Sequence, residues 1–228
     1  PLMGAGGVII PPEGYFELVQ PILQRHDILM IADEVICGFG RTGNMWGSET
    51  FDICPDILTC AKGLSSAYVP ISAVLVSKKI SDEVEKQATK LGQFGHGYTY
   101  SGHPVAAAVA LKTLEIMEKR RIIDHVKGIE DLFLKRVLSL EEFSCVGDVR
   151  AVGLIGAAEF IKPGTERTKL NPKNKFSAKV VKAIQENGVI LRSLPIDAIA
   201  FCPPLIIEKK ELNEMFDRIQ AVLSRMDN

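Results

Sequence analysis

The chain reads Ile28-Leu29-Met30-Ile31-Ala32-Asp33-Glu34-Val35 at the point that decides its fold class. A short apolar run ends there in two acidic residues. Such runs are typical of buried strands in a parallel sheet, although periodicity alone does not separate them from a buried helix. Ligands of open α/β sheets bind beyond the carboxyl ends of the strands, so Asp33 could meet a cationic ring nitrogen. The alternative is that Asp33 caps the next turn or pairs with Arg41.

A lysine follows the next apolar run, in Asp56-Ile57-Leu58-Thr59-Cys60-Ala61-Lys62-Gly63. Most lysines are solvated surface groups whose long stems extend outward. At the sheet edge that holds Asp33, however, Lys62 would lie in a partly desolvated cleft, where an amine can bond covalently to an aldehyde. This run alone leaves both interpretations of Lys62 open.

The remaining pattern alternates helices and strands. Residues 71–76 form a third apolar run, which we expect to be a further parallel strand. Pro11 and Pro12 open a helical stretch, and Pro104 suits the first position of a helix over 105–119. Beyond these, we predict helices at 122–138, 175–187 and 209–226, strands within 146–160 and 189–207, and a solvated loop at 162–175. This α/β pattern divides into two domains, 1–106 and 107–228.

The loop Gly95-His96-Gly97-Tyr98-Thr99-Tyr100-Ser101-Gly102-His103-Pro104 is a candidate anion site. Glycines, hydroxyl groups and a helix start supply the donors that bind a phosphate group. The alternative is an ordinary loop that only caps the helix.

The composition excludes several classes of protein. The chain has 228 residues, 46% of them hydrophobic and 24% charged, with a formal net charge of −1. It is therefore not a disordered chain, a collagen-like repeat or a disulfide mini-scaffold. A balanced net charge does not predict the basic surface that binds nucleic acid or an anionic membrane. The uncharged stretch 63–77 is too short and too polar to span a bilayer.

The cysteines and histidines indicate a reducing compartment and no metal site. The five cysteines are odd in number and form no CxxC pair, so we expect the cytoplasm. The four histidines are scattered without an HExxH motif. Pro1-Leu2 has no basic segment of a signal peptide, and the chain starts inside a structured-looking segment. We therefore expect an N-terminally truncated piece of a longer protein.

The segment Gly38-Phe39-Gly40-Arg41-Thr42-Gly43 satisfies the GxGxxG pattern of dinucleotide-binding proteins. That pattern is specific only when it opens a helix directly after a strand. The residues that follow, Asn44 to Ser48, have no helical apolar spacing. An NAD-dependent oxidoreductase is therefore an alternative that this context does not favour.

Taken together, these segments resemble the class III pyridoxal-phosphate-dependent aminotransferases, the ω-aminotransferase group. The matching segments cover essentially the whole chain in the same order: 4–12, 32–43, 55–63, 97–104 and 201–207. The resemblance implies a fold-type-I α/β protein. The chain would hold the C-terminal half of the large, mostly parallel sheet domain and the α+β small C-terminal domain.

The resemblance also implies pyridoxal 5′-phosphate as the cofactor and assigns residues to it. Lys62 would be the catalytic lysine that binds the cofactor covalently. Asp33 would pair with the protonated ring nitrogen, and Val35 would pack against one ring face. Thr99, with the Tyr98 backbone nearby, would bind the phosphate group from across a homodimer interface.

Arg192 matches the arginine that meets the substrate carboxylate and swings away for amines. Its alternative is a solvated residue at a strand end. The implied function is transfer of an amino group from an amine or ω-amino acid to a keto acid such as pyruvate. An aminomutase or a phospho-lyase of the same fold shares these motifs. Family members are about twice as long, and their main phosphate-binding turn is absent from this chain.

Overall fold

A computed structural model describes residues 1–162 and 175–226. The chain forms two compact units, each with a sheet of its own. Unit 1 comprises Pro1, Pro12–Phe39 and Asn44–Arg121. Unit 2 comprises Leu2–Pro11, Gly40–Gly43 and the described part of Ile122–Asn228.

The division into domains 1–106 and 107–228 stays a prediction about the longer protein. The helix that crosses residue 106, Pro104–Lys119, belongs entirely to unit 1. It packs on the short 3₁₀ turn Lys62–Ser65 of that unit. Two early segments of the chain lie in unit 2, so neither unit is one continuous stretch of sequence.

Unit 1 contains a three-stranded sheet in the order β1-β2-β3. Its strands are β1 (Ile31–Asp33), β2 (Ile57–Cys60) and β3 (Ala73–Val76). Strands β1 and β2 are parallel, as expected, whereas β3 is antiparallel to β2. The expectation of a third parallel strand was wrong. A parallel return needs a crossover, usually a helix of several turns, whereas only one short 3₁₀ turn joins β2 to β3.

Four helices complete unit 1: α1 (Tyr15–Arg25), α2 (Gly47–Thr50), α3 (Lys78–Leu91) and α4 (Pro104–Lys119). Pro104 takes the first helical position, where its missing N–H costs no hydrogen bond. Helix α3 was not predicted from the sequence. Its apolar residues Ile80, Val84 and Leu91 have helical spacing along one face, although none of the residues of α3 is buried.

Unit 2 contains an antiparallel four-stranded sheet in the order β4-β5-β7-β6. Its strands are β4 (Val146–Val152), β5 (Ile155–Phe160), β6 (Arg192–Leu194) and β7 (Ala198–Phe201). Its helices are α5 (Ile122–Lys127), α6 (Glu130–Leu138), α7 (Phe176–Glu186) and α8 (Lys209–Met226).

The single helix predicted over 122–138 is wrong, because the structure has two helices there. Gly128 follows α5, and glycine is a poor helix former. Ile129 leaves helical geometry at φ −127° and is buried in the core. Ile129 still packs in the same core as Val126 and Phe133, on either side of the break. The predicted loop at 162–175 lies almost wholly outside the described residues.

The core of unit 2 is built from aromatic residues of its helices and sheet. The rings of Phe133 and Phe201 pack against that of Phe216 at centroid distances of 5.9 and 5.5 Å. All three side chains are fully buried. Unit 1 has a smaller cluster around Phe39 and Leu58. Among the helices of the described ranges, none is both long and apolar enough to cross a membrane.

Candidate active site

Asp33 and Lys62 lie at the same edge of the unit 1 sheet. Strands β1 and β2 run in parallel with Asp33 opposite Thr59, so their carboxyl ends are neighbours. Asp33 is the last residue of β1, and Lys62 follows the end of β2 by two residues. Both side chains are exposed. The structure therefore brings together a carboxylate and a lysine amine where ligands of α/β sheets bind.

The Asp33 carboxylate is oriented by its own turn. Its Oδ1 accepts a hydrogen bond from the Val35 backbone N–H at 3.0 Å. This bond is the turn cap that the sequence allowed as an alternative, and it leaves the carboxylate exposed. The pairing of Asp33 with Arg41 is not observed. Arg41 donates instead to the carbonyls of Leu154 and Pro203 at 2.8 and 2.7 Å, within unit 2.

Lys62 has a left-handed backbone conformation, with φ +45°. This conformation is uncommon for a residue with a side chain and costs about 1–2 kcal/mol. The turn that begins at Lys62 is closed by Leu64 N–H, which donates to Ala61 O at 3.0 Å. Ser65 Oγ donates to Val69 O at 2.7 Å just beyond it. Strained backbone of this kind clusters at functional sites.

Glu34 is a site residue that the sequence analysis missed. It follows Asp33 directly, and its side chain is fully buried. Its two carboxylate oxygens accept hydrogen bonds from the Gly47 and Ser48 backbone N–H groups at 2.8 and 2.6 Å. These donors are at the N-terminus of α2, which favours a negative charge. The available signal was strand alternation, which turns consecutive residues to opposite faces.

The GxGxxG segment is a series of turns that opens no helix, since α2 begins only at Gly47. Arg41, which lies within it, is mostly buried, and desolvation lowers the pKa of its guanidinium. Its backbone also bonds to β-hairpin residue Leu154, whose N–H donates to Arg41 O at 2.9 Å. The segment therefore anchors to unit 2 and does not have the geometry of a dinucleotide site.

Tyr98 and Thr99 lie in an exposed loop of unit 1 ahead of α4. Tyr98 N–H donates to Ser101 Oγ at 3.0 Å, and Ser101 N–H donates back to Tyr98 O at 2.9 Å. Within residues 1–162 and 175–226, no hydrogen bond joins this loop to Asp33 or Lys62. Within the described residues of one chain, the structure therefore shows no link between this loop and Asp33 or Lys62.

Arg192 begins β6, the edge strand of the unit 2 sheet, and is exposed. It lies opposite Ala200 of β7. It therefore lies in the other unit from Asp33 and Lys62.

The part of the chain that the structure describes holds no cluster of His, Cys, Asp and Glu that could bind a metal ion. None of the five cysteines, all of which lie in the described residues, forms a disulfide bond.

The family of the chain follows from a comparison with known proteins. Residues 1–223 match the model of the family described as "Aminotransferase class-III". The chain belongs to the class III aminotransferases.

Two curated members of the family are similar to most of the chain. An uncharacterized aminotransferase of Sinorhizobium fredii is 44% identical over 230 residues, which cover 100% of the chain and 49% of the relative. The mitochondrial gamma aminobutyrate transaminase 1 of Solanum lycopersicum is 44% identical and covers 94% of the chain and 42% of its own length. The chain thus spans about half the length of the curated relatives it matches.

Solved structures of the family have the same fold. One described as a transaminase with L-ala superposes with a TM-score of 0.95 at 47% identity, covering 99% of this chain and 53% of its own. The ω-transaminase of Pseudomonas jessenii in complex with PMP gives 0.93 at 42% identity, covering 99% and 49%. The predicted fold-type-I α/β class is confirmed.

Because Glu34 is buried, we expect the two carboxylates at the start of α2 to contribute unequally to the free energy of unfolding. Glu49 also accepts a backbone N–H there, from Trp46 at 2.9 Å, but its side chain is exposed. Glu34→Gln turns an amide NH₂ toward one of two buried N–H donors and should cost about 2–3 kcal/mol of unfolding free energy. Glu49→Gln should stay within about 0.5 kcal/mol. Urea denaturation of the full-length protein measures both; equal losses would contradict the assignment.

Proposed function

We propose that the longer protein is a pyridoxal 5′-phosphate-dependent aminotransferase. It would move an amino group from an amine or ω-amino acid to a keto acid such as pyruvate. The observation that carries the proposal is the position of Asp33 and Lys62 at the ends of adjacent parallel strands in a class III chain. The printed names of the relatives, which include gamma aminobutyrate transaminases and an ω-transaminase with PMP, support it.

The residues at the sheet edge fit this cofactor. The exposed Asp33 carboxylate, oriented by the Val35 N–H, suits a cationic ring nitrogen. A carboxylate within a few ångströms raises the pKa of such a nitrogen by about 1–3 units and keeps it protonated. Val35, which is half-buried, would contact one face of the ring. Pyridoxal phosphate, when bound, withdraws electrons from the substrate carbon that carries the amino group.

Lys62 would perform the proton chemistry. Its amine would hold the cofactor aldehyde until substrate arrives and would then be free over the reacting carbon. There it would accept the proton from that carbon as general base and return it as general acid. Its place directly after a strand end gives the amine a fixed origin at the sheet edge.

Three further residues would bind the charged ends of cofactor and substrate. Thr99, with the Tyr98 backbone, would hold the phosphate group of the partner subunit's cofactor in a homodimer. The exposure of their loop supports a role outside its own chain. Arg192 would bind a substrate carboxylate through its two-pronged guanidinium and move aside for an amine. The exposure of Arg192 on an edge strand leaves it room to move.

The cellular location that we propose is the cytoplasm. It is supported by the five cysteines, none of which forms a disulfide bond, as is usual in a reducing compartment. The names of several relatives specify mitochondria or chloroplasts, so subcellular fractionation is the test.

An aminomutase or a phospho-lyase of the same fold would use the same pair of residues. A single-turnover experiment separates these activities. The full-length protein, loaded with cofactor, is mixed with an amine and no keto acid. An aminotransferase releases about one carbonyl product per site and stops, because its amino group has no acceptor. A lyase continues to turn over, and an aminomutase returns an isomer of the amine.

The first prediction concerns Lys62. In the full-length protein, Lys62→Ala should abolish the covalent fixation of pyridoxal phosphate by borohydride, because the amine that bonds to the aldehyde is gone. Mass spectrometry of the reduced protein measures the fixation. Lys86→Ala is the control, since Lys86 is an exposed lysine on α3. Fixation by the Lys62 variant at the normal level would overturn the assignment.

The second prediction concerns Asp33. Asp33→Asn should leave stability nearly unchanged and lower kcat by about 10-fold to 1000-fold, the loss in protonated ring nitrogen that a 1–3 unit fall in pKa produces. Asp82→Asn, which removes an exposed carboxylate on α3, should leave kcat unchanged. Steady-state kinetics and thermal unfolding are measured together. Near-normal turnover would make Asp33 a turn cap alone.

The third prediction is that the active sites are shared in a homodimer. Lys62→Ala and Thr99→Ala full-length proteins are mixed and allowed to exchange subunits. If Thr99 acts across the interface, both lesions fall in one site of the mixed dimer and the other site is intact. About one tight cofactor site per mixed dimer should then return, since Thr99 contributes about one charge-assisted hydrogen bond of 1.5–3 kcal/mol.

Titration of the mixed dimer with pyridoxal phosphate provides the measurement. Each parent variant alone is the control and should show no tight site of normal reactivity. If mixing restores no intact site, Thr99 serves its own subunit and the shared site is wrong.

A further inference from the structure

One strained backbone position in unit 1 contacts the residue next to another. Phe39 has φ +59° and Lys62 has φ +45°, both in the left-handed region that residues with side chains rarely adopt. Gly63, next to Lys62, lies directly against Phe39. A Cβ built on Gly63 would be 2.8 Å from both Cβ and Cδ2 of Phe39. No real Cβ tolerates that distance, so the approach depends on glycine.

The Phe39 side chain cannot withdraw from Gly63. It is 2% exposed and packs in the core of unit 1 with Leu58 and Leu64. Its ring contacts that of Trp46 edge to face at a centroid distance of 5.0 Å. Its backbone N–H donates to Met45 O at 2.6 Å. Phe39 is therefore fixed both by packing and by a hydrogen bond.

The loop that carries Phe39 is fixed at both ends by Glu34. The Glu34 carbonyl accepts the Gly38 N–H at 2.9 Å, one residue before Phe39. The Glu34 carboxylate accepts the Gly47 and Ser48 N–H groups at the far end of the loop. The Glu34 N–H donates to Thr59 O at 2.8 Å, which continues the β1–β2 pairing. Position 34 thus ties the loop to the strand that leads to Lys62.

We propose that Phe39 is a positioning residue for Lys62. Its Cβ and ring lie directly against Gly63, and this contact opposes a rearrangement of the turn to an ordinary, negative φ at Lys62. Phe39 therefore holds Lys62 in the left-handed conformation that sets the direction of its side chain, and Glu34 holds Phe39. Because Glu34 directly follows Asp33 in the chain, the contacts of Glu34 fix the positions of both Asp33 and Lys62. This inference rests on the proposed role of Lys62.

The test uses two variants in the full-length protein, each with a matched control. Phe39→Leu removes the ring, and Phe133→Leu removes a fully buried ring from unit 2. Gly63→Ala places a methyl group against Phe39. Gly128→Ala is its control, because a Cβ there meets only ordinary contacts at 3.4 Å and its φ is not positive.

Each apoprotein is mixed with pyridoxal 5′-phosphate and treated with borohydride after timed intervals. The Lys62 amine bonds to the cofactor aldehyde with loss of one water, and hydride makes that bond permanent. The mass of the Lys62 peptide gives the rate, and cofactor retained without borohydride gives the affinity. We expect the rate to fall about tenfold in Phe39→Leu and Gly63→Ala, because small displacements of a reacting group are costly. The controls should stay within about twofold.

Retained cofactor and thermal stability distinguish positioning from a general structural role. If Phe39 positions Lys62, both variants should fold and retain cofactor, while the rate at which the Lys62 amine bonds to the cofactor falls. Rates equal to those of the controls would overturn the proposal, as would loss of folding in both variants. If the unmodified protein fixes no cofactor on Lys62 at all, the proposed function fails and the positioning role with it. Normal fixation in the unmodified protein and in both variants refutes positioning alone.

Discussion

The unit 1 site depends on one buried carboxylate. Glu34 gives up its hydration entirely and replaces it with two backbone N–H groups at the start of α2. A buried charge is stable only when its hydrogen bonds are satisfied, so the loop between Glu34 and Ser48 must keep one conformation. That requirement explains why a loop of thirteen residues with four glycines is ordered enough to place a phenylalanine against the Lys62 turn.

Two kinds of order therefore coexist at the sheet edge. The parallel pairing of β1 and β2 sets the positions of Asp33 and Lys62 to within a residue, through regular hydrogen bonds. The direction of the Lys62 side chain comes from an irregular turn at positive φ, which needs external support because it is unfavourable by itself. Regular structure brings the groups together, and buried loop contacts orient them. The turn at Lys62 can therefore change without disturbing the pairing of β1 with β2.

The sequence predicted what local pattern controls. Apolar runs ending near Asp33 and Lys62 predicted the ends of two neighbouring strands, and Pro104 predicted the start of α4. The direction of a strand and the burial of a side chain depend on residues that are distant in the sequence, so the local pattern did not predict them. The reversal of β3 depends on the short connection after β2, and the burial of Glu34 depends on α2, which lies thirteen residues away along the chain. The roles of all the assigned site residues stay predictions: Asp33, Val35, Lys62, Tyr98, Thr99 and Arg192.

The interleaving of the two units has a consequence for how the protein is made. Arg41 is synthesised 162 residues before Pro203, whose carbonyl accepts its hydrogen bond. At an elongation rate of roughly 5–20 residues per second, that interval is roughly 8–30 seconds. The contact between the 40–43 segment and Pro203 can therefore form only after Pro203 has been synthesised, so unit 2 completes its packing late. Neither unit can be released by a single proteolytic cut, so exchange of one unit between relatives by recombination would need several crossover points.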